Sequence, residues 1–259
     1  ISPADIFFSQ DPISLGVVAK EGLFETLPND ILVSVPSWAS DKKGYWVGTS
    51  GRSRSLVIDT RDVTPEELPN DIYGLADEKF RNRLGLAPTN SSFIAMVSCM
   101  IELDGEEKVL DWLSSINSLD YTEYPKNSPQ VAAADSGELD IGMVNHYYTL
   151  RLLAENGDSS IKNVYLDSGC GAMVMPAGVG ILSSSQNKTA AMAFIEFLHS
   201  KSVQEIFTNS LYEFPLVKGI EPNNLLPNLE NLNSPLNLNW SALAIWQEKA
   251  VELIARSGF

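Results

Sequence analysis

The sequence predicts an α/β fold of two domains with a central ligand cleft, the chain passing between the domains on two hinge crossover strands. Short apolar runs end in turn residues and lead into helical stretches, as Leu139 to Val144 leads through Asn145 into the helix Tyr147 to Ala154. The long run from Tyr45 to Thr60 is broken by Gly48, Ser50, Gly51, Arg52, Ser53 and Arg54. There the backbone is expected to change direction and pass from one domain to the other. A Gly-rich apolar stretch, 167–182, reads as the second crossover, because its glycines match neither a P-loop nor a dinucleotide fingerprint. With 259 residues, 44% hydrophobic and 20% charged, the chain can build one large or two ordinary cores.

Taken in order, Asp5 to Phe8 reads as a strand and Ser14 to Glu21 as a helix stopped by Gly22. Thr64 to Leu84 carries turn and amphipathic-helix signals. Asn90, Ser91 and Ser92 precede the apolar run Ile94 to Ile101, long enough for a buried helix, so they fall at a helix N-terminus. Asp104 and Glu107 have capping-box spacing ahead of a helix whose apolar face is Val109, Leu110, Leu113 and Ile116. Asn127 or Ser128 caps a helix over 129–136, and Asn145 caps a third. If their strands are parallel neighbours, these three polar helix starts converge on one crevice and cradle an anion. Simple N-capping is the plainer reading of each. Farther on, Lys162 to Tyr165 is a strand. Asn187 caps a helix with Ala191, Phe194, Ile195 and Leu198 inward, and another helix runs through Val203, Ile206 and Phe207. Residues 221–239 form an Asn-, Pro- and Leu-rich wrap before the amphipathic helix Trp240 to Ala255.

Tyr147 and Tyr148 stand at the third of these strand-to-helix turns. A phenol with pKa near 10 needs roughly 4 kcal/mol to ionise at neutral pH, and a helix N-terminus supplies at most about 2. A strongly Lewis-acidic metal would suffice, and phenolate is a hard anionic donor suited to ferric iron. The sharp reading is therefore a paired-phenolate Fe(III) site; the plain one is two half-buried aromatics closing a helical turn. Arg52 and Arg54 face the cleft or are solvated surface arginines.

A formal charge of −15 argues against a nucleic-acid or anionic-membrane surface and is compatible with cation capture. No apolar run approaches the roughly 20 residues of a membrane helix. Cys99 and Cys170, without zinc spacing, read as two buried free thiols, although they could pair in an oxidising compartment. Catalytic constellations are poorly supplied. His199 reads as solvated at a helix end, His146 borders the tyrosines, and no nucleophile elbow is present. A binder, not an enzyme, is expected.

Several stretches together resemble the ferric-iron-binding proteins of bacterial ABC transporters, the periplasmic carriers also called bacterial transferrins. They are Pro3–Phe7, Ser50–Arg54, Ala87–Phe93, Lys126–Ser128, Asn145–Tyr148, Gly171–Gly180 and Tyr212–Leu216, in the family's order along essentially the whole chain. The resemblance implies a periplasmic-binding-protein fold, with one lobe from 1–52 and 178–227 and the other, carrying the tyrosines, from 53–177 and 228–259. It implies Tyr147 and Tyr148 as ferric ligands, and Asn90, Ser91, Ser92, Asn127 and Asn145 as the cradle for a synergistic anion, phosphate or carbonate. Arg52 would be a cleft cation near that anion. It further implies a monomer, periplasmic or membrane-associated outside the cell, that hands iron to an ABC transporter permease.

Two departures accompany the resemblance. Gln10 stands where many members supply a carboxylate, leaving a weak metal donor or one that only supports the ligands, and Asn90-Ser91-Ser92 stands where others use a third tyrosine. The family's opening β-α-β unit does not precede Ile1, so the chain is expected to be a fragment with an incomplete first lobe and weakened iron affinity. The alternative function is a carrier of a metal-free anion or another small solute, such as phosphate, sulfonate, polyamine or thiamine, on the same fold.

Overall fold

The computed structural model describes residues 3–157, 159–235 and 238–259. They divide into two compact units. The first comprises Ile1–Arg52, Met175–Leu229 and Leu236–Ile245, and the second Ser53–Val174, Glu230–Pro235 and Trp246–Phe259. The chain thus changes unit between Arg52 and Ser53 and again between Val174 and Met175. Two details differ from the sequence reading: the second change comes before residue 177, and Leu236–Ile245 groups with the first unit. Residues 236 and 237 of the Asn-rich wrap lie outside the described residues.

In chain order, β1 (Ile6–Ser9) leads into α1 (Pro12–Lys20), whose start is set by Asp11: its carboxylate accepts the Ser14 amide N–H at 2.7 Å. A single turn, α2 (Asn29–Leu32), precedes β2 (Val47–Asp59), 13 residues that are all buried. The Gly/Ser/Arg interruption does not break this strand, because partners hold it on both sides of the change of unit. Ser50 and Gly51 pair with Pro215 and Phe214, and Arg54 through Ile58 pair with Asn145 through Ile141. Next come β3 (Leu84–Leu86), α3 (Ser91–Asp104), α4 (Glu106–Asn117), β4 (Thr122–Glu123) and α5 (Asn127–Ser136). Then follow β5 (Ile141–Asn145), α6 (His146–Asn156), β6 (Ile161–Val164) and β7 (Val174–Ile181). The chain closes through α7 (Lys188–Leu198), α8 (Lys201–Asn209), β8 (Phe214–Pro215) and α9 (Trp240–Arg256).

In the first unit β1 runs antiparallel to β7, from the Ile6–Ile181 pair to the Ser9–Gly178 pair, and β7 neighbours β2. Gly178 is required there: a Cβ would come within 2.8 Å of the Val47 carbonyl oxygen. Val47, Val179 and Ile181 from the strands pack with Ala191, Ile195 and Leu198 from α7. Phe194, expected inward, is 40% exposed, so the buried stripe of α7 is narrower than its apolar residues suggest.

The second unit has the strand order β6, β2, β5, β3, β4. β2 is antiparallel to β5 and β6, whereas β3 is parallel to β5 and β4. All three parallel strands feed helices: β3 runs to α3, β4 to α5 and β5 to α6. Val57, Val144 and Ile161 of the sheet pack against Val131 and Ala134 of α5.

Three sequence expectations fail in this unit for identifiable reasons. Residues 64–84 form short 3-10 turns at Pro65–Glu67, Ile72–Ala76 and Glu78–Phe80. Prolines and the capping carboxylates of Asp71 and Asp77 restart the chain too often for a helix. Asp104 is not a capping-box residue but the last residue of α3. Gly105, at φ 86°, separates it from α4, and its carboxylate accepts the Tyr73 hydroxyl at 2.8 Å. Finally, Cys99 and Cys170 are not free thiols; they form a disulfide joining α3 to the turn before β7, with their Cα atoms 5.8 Å apart.

Candidate functional site

Because β3, β4 and β5 are parallel neighbours, the N-termini of α3, α5 and α6 gather at one edge of the second unit's sheet. Hydrogen bonds tie them together. Asn90 is the N-cap of α3, its Oδ1 accepting from the Ser92 amide at 3.1 Å and the Ser92 hydroxyl at 2.7 Å. The Asn127 side-chain amide, on the first turn of α5, donates to Ser92 Oγ at 3.4 Å. Asn145 is the N-cap of α6, yet its side chain does not cap the helix. Ser91 is exposed beside this cluster.

The group joining α3 to α6 is Arg54. It sits opposite Asn145 in the β2–β5 ladder and is 1% exposed. Nη1 donates to Ser92 Oγ at 2.9 Å and to Asn145 Oδ1 at 3.0 Å, and Nη2 donates to the Met143 carbonyl at 3.1 Å. Nε is buried without a hydrogen-bond partner. All these acceptors are neutral oxygens, and no carboxylate pairs with Arg54 among the described residues. Burial pulls its pKa down to about 10, and the only charge effects opposing that come from Tyr147 and Tyr148.

Those two tyrosines occupy the first turn of α6. Tyr147 is 6% exposed and Tyr148 half-buried, with ring centroids 4.3 Å apart and planes 35° apart. One turn later, the Arg151 guanidinium lies 4.7 Å from the Tyr147 ring centroid, adding a cation on its face. His146 is fully buried behind them. Its Nδ1 lies 3.1 Å from the Ser53 amide nitrogen and 3.3 Å from the Ser53 carbonyl oxygen, and its ring is edge-on to Tyr147. Asn163 Nδ2 donates to the His146 carbonyl at 2.8 Å, holding the start of α6 against β6.

Arg52 and Gln10 belong to the first unit. Arg52 Nε pairs with Glu213 Oε1 at 3.2 Å, its Nη1 donates to the Gln10 carbonyl, and Ser50 Oγ also donates to Glu213. The arginine bonded to Ser92 and Asn145 is Arg54; the sequence reading gave an anion-side role to Arg52. Arg151 and Asn163 had no sequence signal of their own; strand register and helix pitch bring them to the tyrosine turn. Among the described residues, no group of three or more His, Cys, Asp or Glu side chains could hold a metal.

The chain matches the family model described as bacterial extracellular solute-binding protein over residues 2–244. It is 35% identical over 223 residues to the major ferric iron-binding protein of Neisseria meningitidis serogroup B, covering 83% of this chain and 66% of that protein. With the Fe(3+)-binding periplasmic protein of Serratia marcescens it shares 31% identity over 261 residues, covering 99% of this chain and 76% of that one. The crystal structure of iron-bound HitA from Pseudomonas aeruginosa matches with a TM-score of 0.92 at 27% identity, covering 100% of this chain and 84% of that one. The chain thus spans about two thirds of the Neisseria protein's length and about three quarters of the Serratia protein's. The fold is that of the periplasmic ferric-binding proteins.

Proposed function

Because the chain belongs to the bacterial extracellular solute-binding proteins, we propose that it carries ferric iron, with Tyr147 and Tyr148 as phenolate ligands and a synergistic anion beside them. Asn90, Ser91, Ser92, Asn127 and Asn145 form the anion cradle in this reading, and Arg54 supplies its charge. Arg52 stays with Glu213, and Gln10 is at most an outer donor.

One observation carries the reading: Arg54 is a wholly buried guanidinium bonded only to neutral oxygens. An uncompensated buried charge costs several kcal/mol, so such sites are completed by a counter-charge. Ionised, the two phenols are the groups that would offset it. Iron(III) bound by two phenolates next to one guanidinium leaves two positive charges, which a dianion such as carbonate or hydrogen phosphate cancels. The relatives support iron as cargo, since two of them are named for ferric binding. Loaded protein would deliver the ion to an ABC importer outside the cytoplasm, with no chemical turnover.

The test is a visible-light titration with ferric citrate, comparing the protein with Tyr147→Phe/Tyr148→Phe. A phenolate-to-iron charge-transfer band that the double variant lacks is expected. Folded protein that shows no band but binds phosphate would favour the metal-free anion carrier, which Arg54 and the three helix starts would also serve.

A further inference from the structure

Arg151 stands four residues after Tyr147 on α6, and the pitch of the helix puts both on one face. Its guanidinium carbon lies over the Tyr147 ring, 4.7 Å from the centroid. Nε is buried with no hydrogen-bond partner, and no carboxylate pairs with Arg151 among the described residues. The partner of this cation is therefore the negative face of an aromatic ring. Tyr147 is 6% exposed, which leaves little water to screen the contact.

Tyr148 is placed differently. Its ring centroid is 4.3 Å from that of Tyr147, yet among the described residues Arg151 stacks on Tyr147 and not on Tyr148. The Arg54 charge is coupled to both phenols, so it does not distinguish them, whereas Arg151 does. A cation over the ring of a phenolate draws electron density away from its oxygen and lowers its strength as a donor. Groups that touch a ligand and not the metal tune the metal in this way. The same cation acts on the visible transition. Phenolate-to-iron charge transfer moves an electron off the ring, and a positive charge above the ring holds that electron back, so the transition moves to higher energy.

We infer that Arg151 makes the two ferric ligands unequal: acting through the Tyr147 ring, it leaves Tyr147 the weaker donor and Tyr148 the stronger, so that the Tyr147 bond is the one an incoming chelator opens first. The inference rests on the iron reading above and adds a positioning residue to it.

The test loads the protein with ferric citrate, records its visible spectrum and follows the rate at which excess pyrophosphate strips the iron. Arg151→Met keeps an apolar stem and removes the charge. Its band is expected at longer wavelength than the wild-type band, and its iron is expected to leave about three- to tenfold more slowly. Arg151→Lys, which restores a cation, is expected to move both readings back towards wild type; a role in packing alone would not follow the charge. The shift caused by Arg151→Met is expected to persist in a Tyr148→Phe background and to vanish in a Tyr147→Phe background. Where the wild-type band is present, an unshifted band in Arg151→Met shown by circular dichroism to be folded overturns the inference and leaves the iron reading standing, as does a shift that survives Tyr147→Phe. Absence of the band from the wild-type protein overturns the iron reading and this inference with it.

Discussion

Asn145 caps α6 with its backbone alone, because its side-chain oxygen is taken by Arg54 Nη1 at 3.0 Å. An N-cap oxygen ordinarily satisfies an amide of the first helical turn and contributes about 1 kcal/mol. Here it solvates a buried guanidinium instead. The helix start bearing both tyrosines is thereby tied to the charge beside them.

Replacing that charge should separate stability from binding. Arg54→Met keeps much of the volume and removes a buried cation that has no carboxylate partner. Removing the charge relieves its desolvation cost but leaves the Ser92, Asn145 and Met143 oxygens without their donor, so the two effects oppose each other and the melting midpoint of the metal-free variant should move by only a few degrees. Ferric retention against citrate should fall about ten- to a hundredfold through loss of charge-assisted anion contacts. Calorimetry and citrate competition on the same preparation check both. A variant that melts lower yet retains iron normally would mean that Arg54 is a structural residue.

Asn145→Asp makes the complementary change by placing a carboxylate where the amide oxygen now meets Arg54. A buried guanidinium that gains an ionised partner is better compensated, so the metal-free protein should be stabilised. The same carboxylate repels an incoming dianion and competes for Arg54. Phosphate affinity, read by calorimetry without iron, should drop at least about tenfold. Unchanged phosphate affinity would place the anion elsewhere.

How much of this was legible in the sequence depends on the range of the interaction. The helix starts at Asn90 and Asn145 were readable because the signal is local, a polar residue at the cap followed within a turn by an apolar run; α5 starts nearby, but its cap is Lys126 and Asn127 is already its first residue, not the expected Asn127 or Ser128 cap. Their meeting required only that β3, β4 and β5 be parallel. The distinction between Arg52 and Arg54 was not local. Two arginines two residues apart look equivalent until the change of unit falls between Arg52 and Ser53 and strand pairing sets Arg54 opposite Asn145. The disulfide was hidden for the same reason, its cysteines being 71 residues apart. His199 was misread as solvated because its partners, Ser34 and Gly48, come from a remote part of the chain.

That disulfide should contribute measurably to the second unit. Closing a loop of 71 residues restricts the unfolded chain by about 4 kcal/mol in the loop-entropy account. Cys99→Ala/Cys170→Ala should lower the melting midpoint by roughly 10 °C. Mass spectrometry of an unreduced digest should show the Cys99 and Cys170 peptides linked. Separate peptides bearing free thiols would contradict the pairing.

His199 should make the first unit sensitive to mild acid. Its Nε2 lies 3.0 Å from the Gly48 carbonyl, which can only accept, so that nitrogen carries the proton; Nδ1 lies 3.0 Å from the Ser34 hydroxyl. Burial holds its pKa below the ordinary histidine value, with the Gly48 bond acting in the opposite direction. The unfolded chain takes up a second proton near pH 6.5, whereas the folded chain resists it until lower pH. The histidine's contribution is therefore intact above about pH 6.5 and declines as the pH falls below that value, ceasing to change once the folded-state pKa is passed. His199→Gln can still donate to Gly48 but does not titrate. Denaturation midpoints measured from about pH 8 to pH 5 should fall less steeply in the variant. The carboxylates titrate in both proteins, so the difference between the two curves isolates the histidine, and superimposable curves would assign the acid sensitivity to other groups.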